Sequence, residues 1–237
     1  MDTRPRTSLV TGANRGLGLE FIRRLLARGD HAIAACREPG RASALNALAG
    51  EHPGRLHVLP LDVADARSRA ALAAELPLVL GDGGRIDLLL NNAGVLHSGE
   101  RFGTLGEATL EHSFRINAMG PLLLTQALAP LLADGARVAN LSSQLGSIAG
   151  CGRFGTPSYN ISKAAQNMAT ALLAHALAER GIVVVALHPG WVQTGMGGEQ
   201  ATETVGESAT GLLGVIDGLD AGDSGRFLDW RGEALAW

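Results

Sequence analysis

The chain has 237 residues, 46% of them hydrophobic, enough to bury one substantial core, and 23 acidic against 20 basic residues leave a formal charge of -3. Scattered arginines on a near-neutral chain give no basic stripe for nucleic acid or an anionic membrane, and Cys36 and Cys151 have neither the number for a disulfide framework nor the spacing of a metal site. The opening MDTRPRTSLVTG lacks an apolar stretch of signal-peptide length, and PLLLTQALAPLLA, broken by Thr125, Gln126 and Pro130, is too short to span a membrane, so a soluble chain in a reducing cytoplasm is expected.

Short β-branched or leucine-rich runs alternate with longer helical stretches. SLVT precedes LGLEFIRRLLARG, HAIAAC precedes GRASALNALAG, and RLHVLPL precedes ARSRAALAAEL. RIDLLLNNAG, a helix over 107–133, RVANLSS, a helix over 157–180, IVVVALHPG and GRFLDW complete the series. Seven strands separated by helices predict a doubly wound parallel sheet with helices on both faces. With no linker and no internal repeat, residues 1–237 form one domain, and ligands should gather at the carboxyl ends of the strands.

TGANRGLG, residues 11–18, joins the first strand to the first helix. Gly12 permits a tight turn, and Gly16 and Gly18 let backbone amides approach a pyrophosphate at the positive end of the helix. The spacing is G-x-x-x-G-x-G, a weak signal alone and a dinucleotide signal between a strand and an amphipathic helix. After the second strand an acidic residue would suit the ribose of NADH; this chain has Cys36 and then Arg37. Arg37 and Arg15 can clasp a 2'-phosphate, which favours NADPH/NADP over NADH, whereas Glu38 turned inward would favour NADH.

SYNISKAA carries the only tyrosine, Tyr159, and the only lysine, Lys163. At i and i+4 on a helix they share a face. A free phenol has a pKa near 10, so exchange near neutrality needs a shift of roughly three units, about 4 kcal/mol. A positive charge about 5 Å away at an effective dielectric near 20 offers roughly 3 kcal/mol. A compact ammonium can also reach cofactor hydroxyls that a planar guanidinium would overshoot. The third group should be a hydroxyl on the preceding strand, where Ser142 and Ser143 alternate; the residues alone leave that choice open.

TGANRGLG, NNAG at 91–94, Ser143, YNISK at 159–163 and HPGWVQT at 188–194 occur in this order, and over essentially its whole length the chain resembles the short-chain dehydrogenase/reductase family. LSSQLGSIAG, SKAAQNMATALLA, LHPGWVQTGMGG and GRFLDWRGEALAW are similar to the subgroup of C-factor and sniffer-type carbonyl reductases. The resemblance implies a Rossmann fold, Tyr159 as general acid, Ser143 orienting the substrate oxygen, Lys163 lowering the phenol's pKa and holding the ribose, and Asn117 anchoring a water of the proton relay. It places Gly12, Asn14, Arg15, Gly16, Leu17, Gly18, Arg37, Asp62, Val63, Asn92, Ala93, Gly94, Pro189, Gly190, Val192 and Thr194 along the cofactor. Asp62 would contact adenine and Thr194 the carboxamide.

Two departures stand out. The sixteen-residue spacing from Ser143 to Tyr159 is longer than usual in the wider family and similar to the subgroup, which makes GSIAGCGRFGTP a wall of the substrate pocket. Gly195 stands where the subgroup commonly has aspartate, so TGMGGEQATETVGES is expected to be a flexible lid. The function implied is hydride transfer between NADPH and a carbonyl or secondary alcohol. The rival is an NADP(H)-binding signalling protein with incidental turnover. A metal hydrolase is excluded because His97, His112, His188 and the other histidines lack ligand spacing. Apolar helix faces near 117–133 and 163–180 suit either a homodimer or homotetramer or packing on the sheet.

Overall fold

A computed structural model describes residues 5–237. Strands β1 (Thr7–Thr11), β2 (His31–Cys36), β3 (Leu56–Pro60), β4 (Ile86–Asn91), β5 (Leu132–Leu141), β6 (Val183–His188) and β7 (Phe227–Asp229) form one parallel sheet in the order 3-2-1-4-5-6-7. Alternate side chains divide the core between its two faces. Val10, Leu88, Leu90, Val185 and Leu187 pack with Phe21 and Leu25 of α1 (Gly16–Ala27), Leu45 of α2 (Ser43–Glu51), and Leu212 and Ile216 of α7 (Val205–Gly218). Leu9, Leu89, Val138 and Val184 pack with Leu72 of α3 (Ala66–Leu80), Leu124 of α5 (Gly120–Leu128) and Leu173 of α6 (Pro157–Ala176). Each fully buried side chain of this size contributes about 1.5–3 kcal/mol. Strand order reverses between β1 and β4, so the crevice for a ligand opens at their carboxyl ends.

Several boundaries differ from expectation. The helix expected over 107–133 is α4 (Glu107–Phe114), a π-helical turn Arg115–Met119, α5, and a 3-10 turn Ala129–Leu131, after which β5 begins at Leu132. Pro130 lies in that turn, where the missing amide and the ring stop the helix. The helix expected to reach 180 ends at Ala176, and Gly181, at φ 63°, turns the chain toward β6.

Helix α7 was not anticipated, because Gly206, Gly211, Gly214 and Gly218 mask its pattern. Its signal is a capping box: the Thr204 hydroxyl accepts from the Glu207 amide, and the Glu207 carboxylate accepts from the Thr204 amide. This helix takes up the end of the expected lid, and the rest is hydrogen-bonded within itself and to its neighbours. Gln193 and Glu203 bond through their backbones, Trp191 Nε1 donates to the Gly197 carbonyl, and the Thr194 hydroxyl accepts from Met196 and Gly197 amides. The threonine thus anchors a segment in which Gly195 has no side chain to offer. Among the described residues no helix is long and apolar enough to cross a membrane.

Candidate active site

Six connections at the carboxyl edge of the sheet carry the candidate site residues: the turns after β1 and β2 and the segments after β3, β4, β5 and β6. In the first, Gly12 (φ 64°) and Gly16 (φ 52°) occupy the left-handed region that favours glycine. A Cβ on Gly18 would lie 2.3 Å from the Gly12 carbonyl oxygen and 2.7 Å from Asn92 Nδ2, so only glycine fits where the turn meets α1. The N-cap residue of α1 is Arg15, whose side chain makes no capping bond. The first amides of the helix are thus left for an anion. Asn14 and Arg15 are exposed, and Leu17 packs on the core.

Asn92 ties this turn to β4. Its Nδ2 donates to the Thr11 and Gly12 carbonyls at 2.8 and 3.2 Å, while the Thr11 hydroxyl accepts from the Asn92 and Ala93 amides, both at 3.0 Å. Thr11 is a positioning group that the sequence reading passed over, although it opens the TGANRGLG motif. Arg37 is exposed at the end of β2, and Glu38 pairs with Arg41 at 3.1 Å. Asp62 accepts from the Ala64 amide at 2.9 Å, which orders the turn after β3, and Val63 is buried with Gly120 packed against it.

The π-helical turn presents Asn117, fully buried. Its Oδ1 accepts from the Val95 amide at 2.8 Å, and its Nδ2 donates to the Val95 carbonyl at 2.8 Å and the Ser162 hydroxyl at 2.9 Å. Asn117 therefore fastens the segment after Gly94 to α6. A Cβ on Gly94 would lie 3.3 Å from Asn117 Oδ1 and 3.9 Å from Lys163 Nζ, so backbone, asparagine and lysine converge there.

After β5 the two serines part. Ser142 donates to Asn167 Oδ1 at 2.6 Å and is thus committed to α6, whereas the Ser143 hydroxyl accepts from the Leu145 amide at 3.2 Å and lies near enough to the Tyr159 phenol to lower its pKa, which favours Ser143 as the hydroxyl of the candidate site. Tyr159 and Lys163 are both buried, with Nζ 5.6 Å from the centroid of the phenol ring. Nζ donates to the Leu141 carbonyl and, at 2.8 Å, to Gln166 Oε1. Gln166 and Gly146 lie within the quoted stretches SKAAQNMATALLA and LSSQLGSIAG, which assigned them no role. A Cβ on Gly146 would lie 2.8 Å from the Lys163 backbone carbonyl carbon, so the turn after Ser143 rests directly on α6.

The titration of this pair departs from the simple charge argument. Burial pushes the Tyr159 phenol up to about 12, against the lowering effect of the Ser143 hydrogen bond. Burial also pulls Lys163 down to about 7. The phenol is thus raised by burial, which outweighs the Ser143 contribution, and not lowered as the uniform-dielectric charge count would have it.

On the far side of the crevice, Thr194 Cγ2 would lie 3.5 Å from a Cβ on Gly16. Gly190 is left-handed at φ 84°, the Pro189 carbonyl accepts from Ser208 at 2.6 Å, and Val192 is buried. A cavity of about 490 Å³ between α7 and β7, lined by Val215, Leu228 and Trp230 among others, shares no residue with this site. Among the described residues no group of three or more His, Cys, Asp or Glu could hold a metal.

A family model described as short chain dehydrogenase matches residues 6–204. C-signal of Myxococcus xanthus is 46% identical over 156 residues, 65% of this chain and 94% of that protein. The NADPH-bound carbonyl reductase from chicken fatty liver superposes with a TM-score of 0.93 at 40% identity, covering 99% of this chain and 100% of that one. Carbonyl reductase Sniffer of D. melanogaster gives a TM-score of 0.94 at 33% identity over the same shares. Motif order, sheet order and these likenesses agree: the chain belongs to the short-chain dehydrogenase family, in its carbonyl reductase-like subgroup.

Proposed function

We propose that the chain is an NADP(H)-dependent oxidoreductase that interconverts a carbonyl compound and a secondary alcohol. The observation that carries this reading is the convergence of the Tyr159 phenol, Ser143 hydroxyl and Lys163 ammonium close to Gly94, at the carboxyl end of β4. The residues fit the cofactor: Gly12, Gly16 and Gly18 allow the turn its tight course into α1, α1 presents uncapped amides, and Arg15 and Arg37 are exposed on the segments expected to meet the 2'-phosphate. Asn14, Leu17, Asp62, Val63, Asn92, Ala93, Pro189, Gly190, Val192 and Thr194 would complete that groove. The carbonyl reductase from chicken fatty liver, similar over its whole length, is described as NADPH-bound. Reduced nicotinamide supplies the hydride; the protein aligns the carbonyl and protonates its oxygen.

Ser143 donates to the carbonyl oxygen as negative charge develops there. Tyr159 gives its proton to the same oxygen, and burial keeps the phenol in the protonated form that reduction requires. As the phenolate forms, the ammonium of Lys163 stabilises it across the ring face. Asn117 holds the segment after Gly94 and, with the π-helical turn, would place a water for reprotonation.

The rival reading, a binding protein whose output is a partner contact, draws on C-signal, whose match spans 65% of this chain. A buried acid with a placed ammonium has no use in such a protein. The exposed Ile161, Met168 and Leu172 of α6 support pairing with a second copy, and a reducing cytoplasm suits the free thiols. The deciding experiment is an NADPH-consumption panel over aldehydes and ketones with the native chain and Tyr159→Phe. The expected loss in kcat is about 10²–10⁴-fold with cofactor binding retained. Equal consumption by both removes the proposed acid, and no turnover on any carbonyl favours the binding protein.

A further inference from the structure

Beneath the Tyr159–Lys163 pair runs a string of buried polar side chains that the proposed chemistry does not use. Lys163 Nζ donates to Gln166 Oε1 at 2.8 Å, and Gln166 is fully buried. The Thr170 hydroxyl donates to the Gln166 main-chain carbonyl and accepts from Asn140 Nδ2, both at 2.9 Å. Asn140 Oδ1 in turn accepts from Asn91 Nδ2 at 2.8 Å. The string is unsatisfied at Gln166 Nε2 and at Asn91 Oδ1, both buried without a partner. A buried amide with unmet bonding capacity is costly, and a leucine of similar volume would pack there without that cost. What glutamine supplies and leucine cannot is a carbonyl oxygen on the lysine.

Residues 159, 163, 166 and 170 lie on one face of α6 at helical spacing. We propose that Gln166 is a positioning residue that, with the Leu141 carbonyl, holds the Lys163 ammonium over the Tyr159 ring. Both acceptors are neutral. They satisfy the ammonium without cancelling its charge, which stays available to the phenol, whereas a carboxylate at 166 would pair with the lysine and quench its field.

The groups packed around the lysine fit this role. From α6 the titratable neighbour is Tyr159 itself; β5 presents the Leu141 carbonyl, the turn after it Gly146, and the π-helical turn the Asn117 amide, none of which titrates. On other segments packed against α6, the Glu100 carboxylate accepts from Ser158, Glu111 of α4 pairs with Arg115 of the π-helical turn, His112 of α4 bonds His97, and His188 at the end of β6 feels Asp229 and Glu203. The inference rests on the proposed function only in supposing that the charge matters to Tyr159.

Because Lys163 is the only lysine, ¹⁵Nζ-lysine labelling gives a single NMR signal that titrates without background. Gln166→Leu is expected to lower its midpoint by about one pH unit, and Gln166→Glu to raise it by at least about as much, the size of a hydrogen bond to a charged group. In NADPH-coupled carbonyl reduction Gln166→Glu should lose about tenfold in kcat with little change in cofactor affinity, since its carboxylate neutralises the ammonium. Equal midpoints in all three proteins overturn the proposal, as does a native signal exchanging like a free solvated lysine. Should Gln166→Leu fail to fold, the near-isosteric Gln166→Glu and the native exchange rate still decide it. Full turnover by Tyr159→Phe would remove the proposed acid and leave the midpoint test of Gln166 intact.

Discussion

Asn117 grips the backbone of Val95 from both sides, accepting from its amide and donating to its carbonyl, each at 2.8 Å. The same side chain reaches Ser162 of α6, so one residue of the π-helical turn joins β4's connection to the helix that carries Tyr159 and Lys163. Asn117→Ala should cost about 1–3 kcal/mol in urea denaturation and weaken NADPH by fluorescence titration, because the freed Val95 groups stay partly buried. Unchanged stability and affinity would show that the grip is dispensable.

The stability of the protein should depend on alkaline pH through two groups of opposite sign. Lys163 binds its proton less tightly folded, at about 7, than its ordinary value of 10.5, so the unfolded chain holds more protons between these limits and stability rises with pH across them. Tyr159 binds its proton more tightly folded, at about 12 against 10.0, and its contribution, present below pH 10, is lost as pH climbs toward 12. Lys163→Met should therefore flatten the rise between pH 7 and 10 in denaturation curves. A slope identical to the native one would mean that the lysine is hydrated in the folded state.

Arg37 stands exposed at the end of β2 while Glu38 is engaged by Arg41. Arg37→Ala should weaken NADPH by about 10–100-fold, the range of a hydrogen bond to a charged group, and leave NADH nearly unchanged. Parallel titration of the two cofactors checks it. A uniform loss would show that the arginine does not read the phosphate.

At Gly18 a methyl group would meet the Gly12 carbonyl oxygen at 2.3 Å and Ala13 Cα at 2.9 Å, both backbone atoms. Gly18→Ala should therefore destabilise by about 1–3 kcal/mol and reduce cofactor affinity as the turn shifts. Gly29, around whose added Cβ there is open space but whose φ is 94°, offers a comparison in which strain acts without a clash at the crevice. Its alanine variant should lose stability and keep its affinity for NADPH.

Much of this architecture was legible because alternation of apolar residues is a property of the chain itself. Leu88, Leu89 and Leu90 point to successive faces whatever surrounds them, and TGANRGLG can be read from the one residue type that tolerates its dihedrals. The pairing of Tyr159 with Lys163 was readable from helical spacing. Gln166, Thr11 and Gly146 were not, since their roles arise from contacts between segments far apart in sequence. The choice between Ser142 and Ser143 likewise needed the position of α6, and α7 was hidden by glycines whose helix is held by packing on α1 and by its cap. The raised Tyr159 phenol was not legible for a related reason: spacing reveals which charges are near, and only the folded chain reveals how much water they have lost.

The bare Cα of Gly146 against the Lys163 backbone leaves no slack between the turn that follows Ser143 and the helix that bears the phenol. Hydroxyl, phenol and ammonium are thereby built into one floor whose spacing is a contact distance, not a hinge angle. Under the proposed reduction, any adjustment to differently shaped carbonyl compounds would fall to less constrained segments, such as the loop that follows Gly146, in which Ile148 is largely exposed and Phe154 meets Phe102 edge to face at 5.6 Å. Substitutions in that loop should then change selectivity among carbonyl compounds more than the proposed proton transfer beneath them.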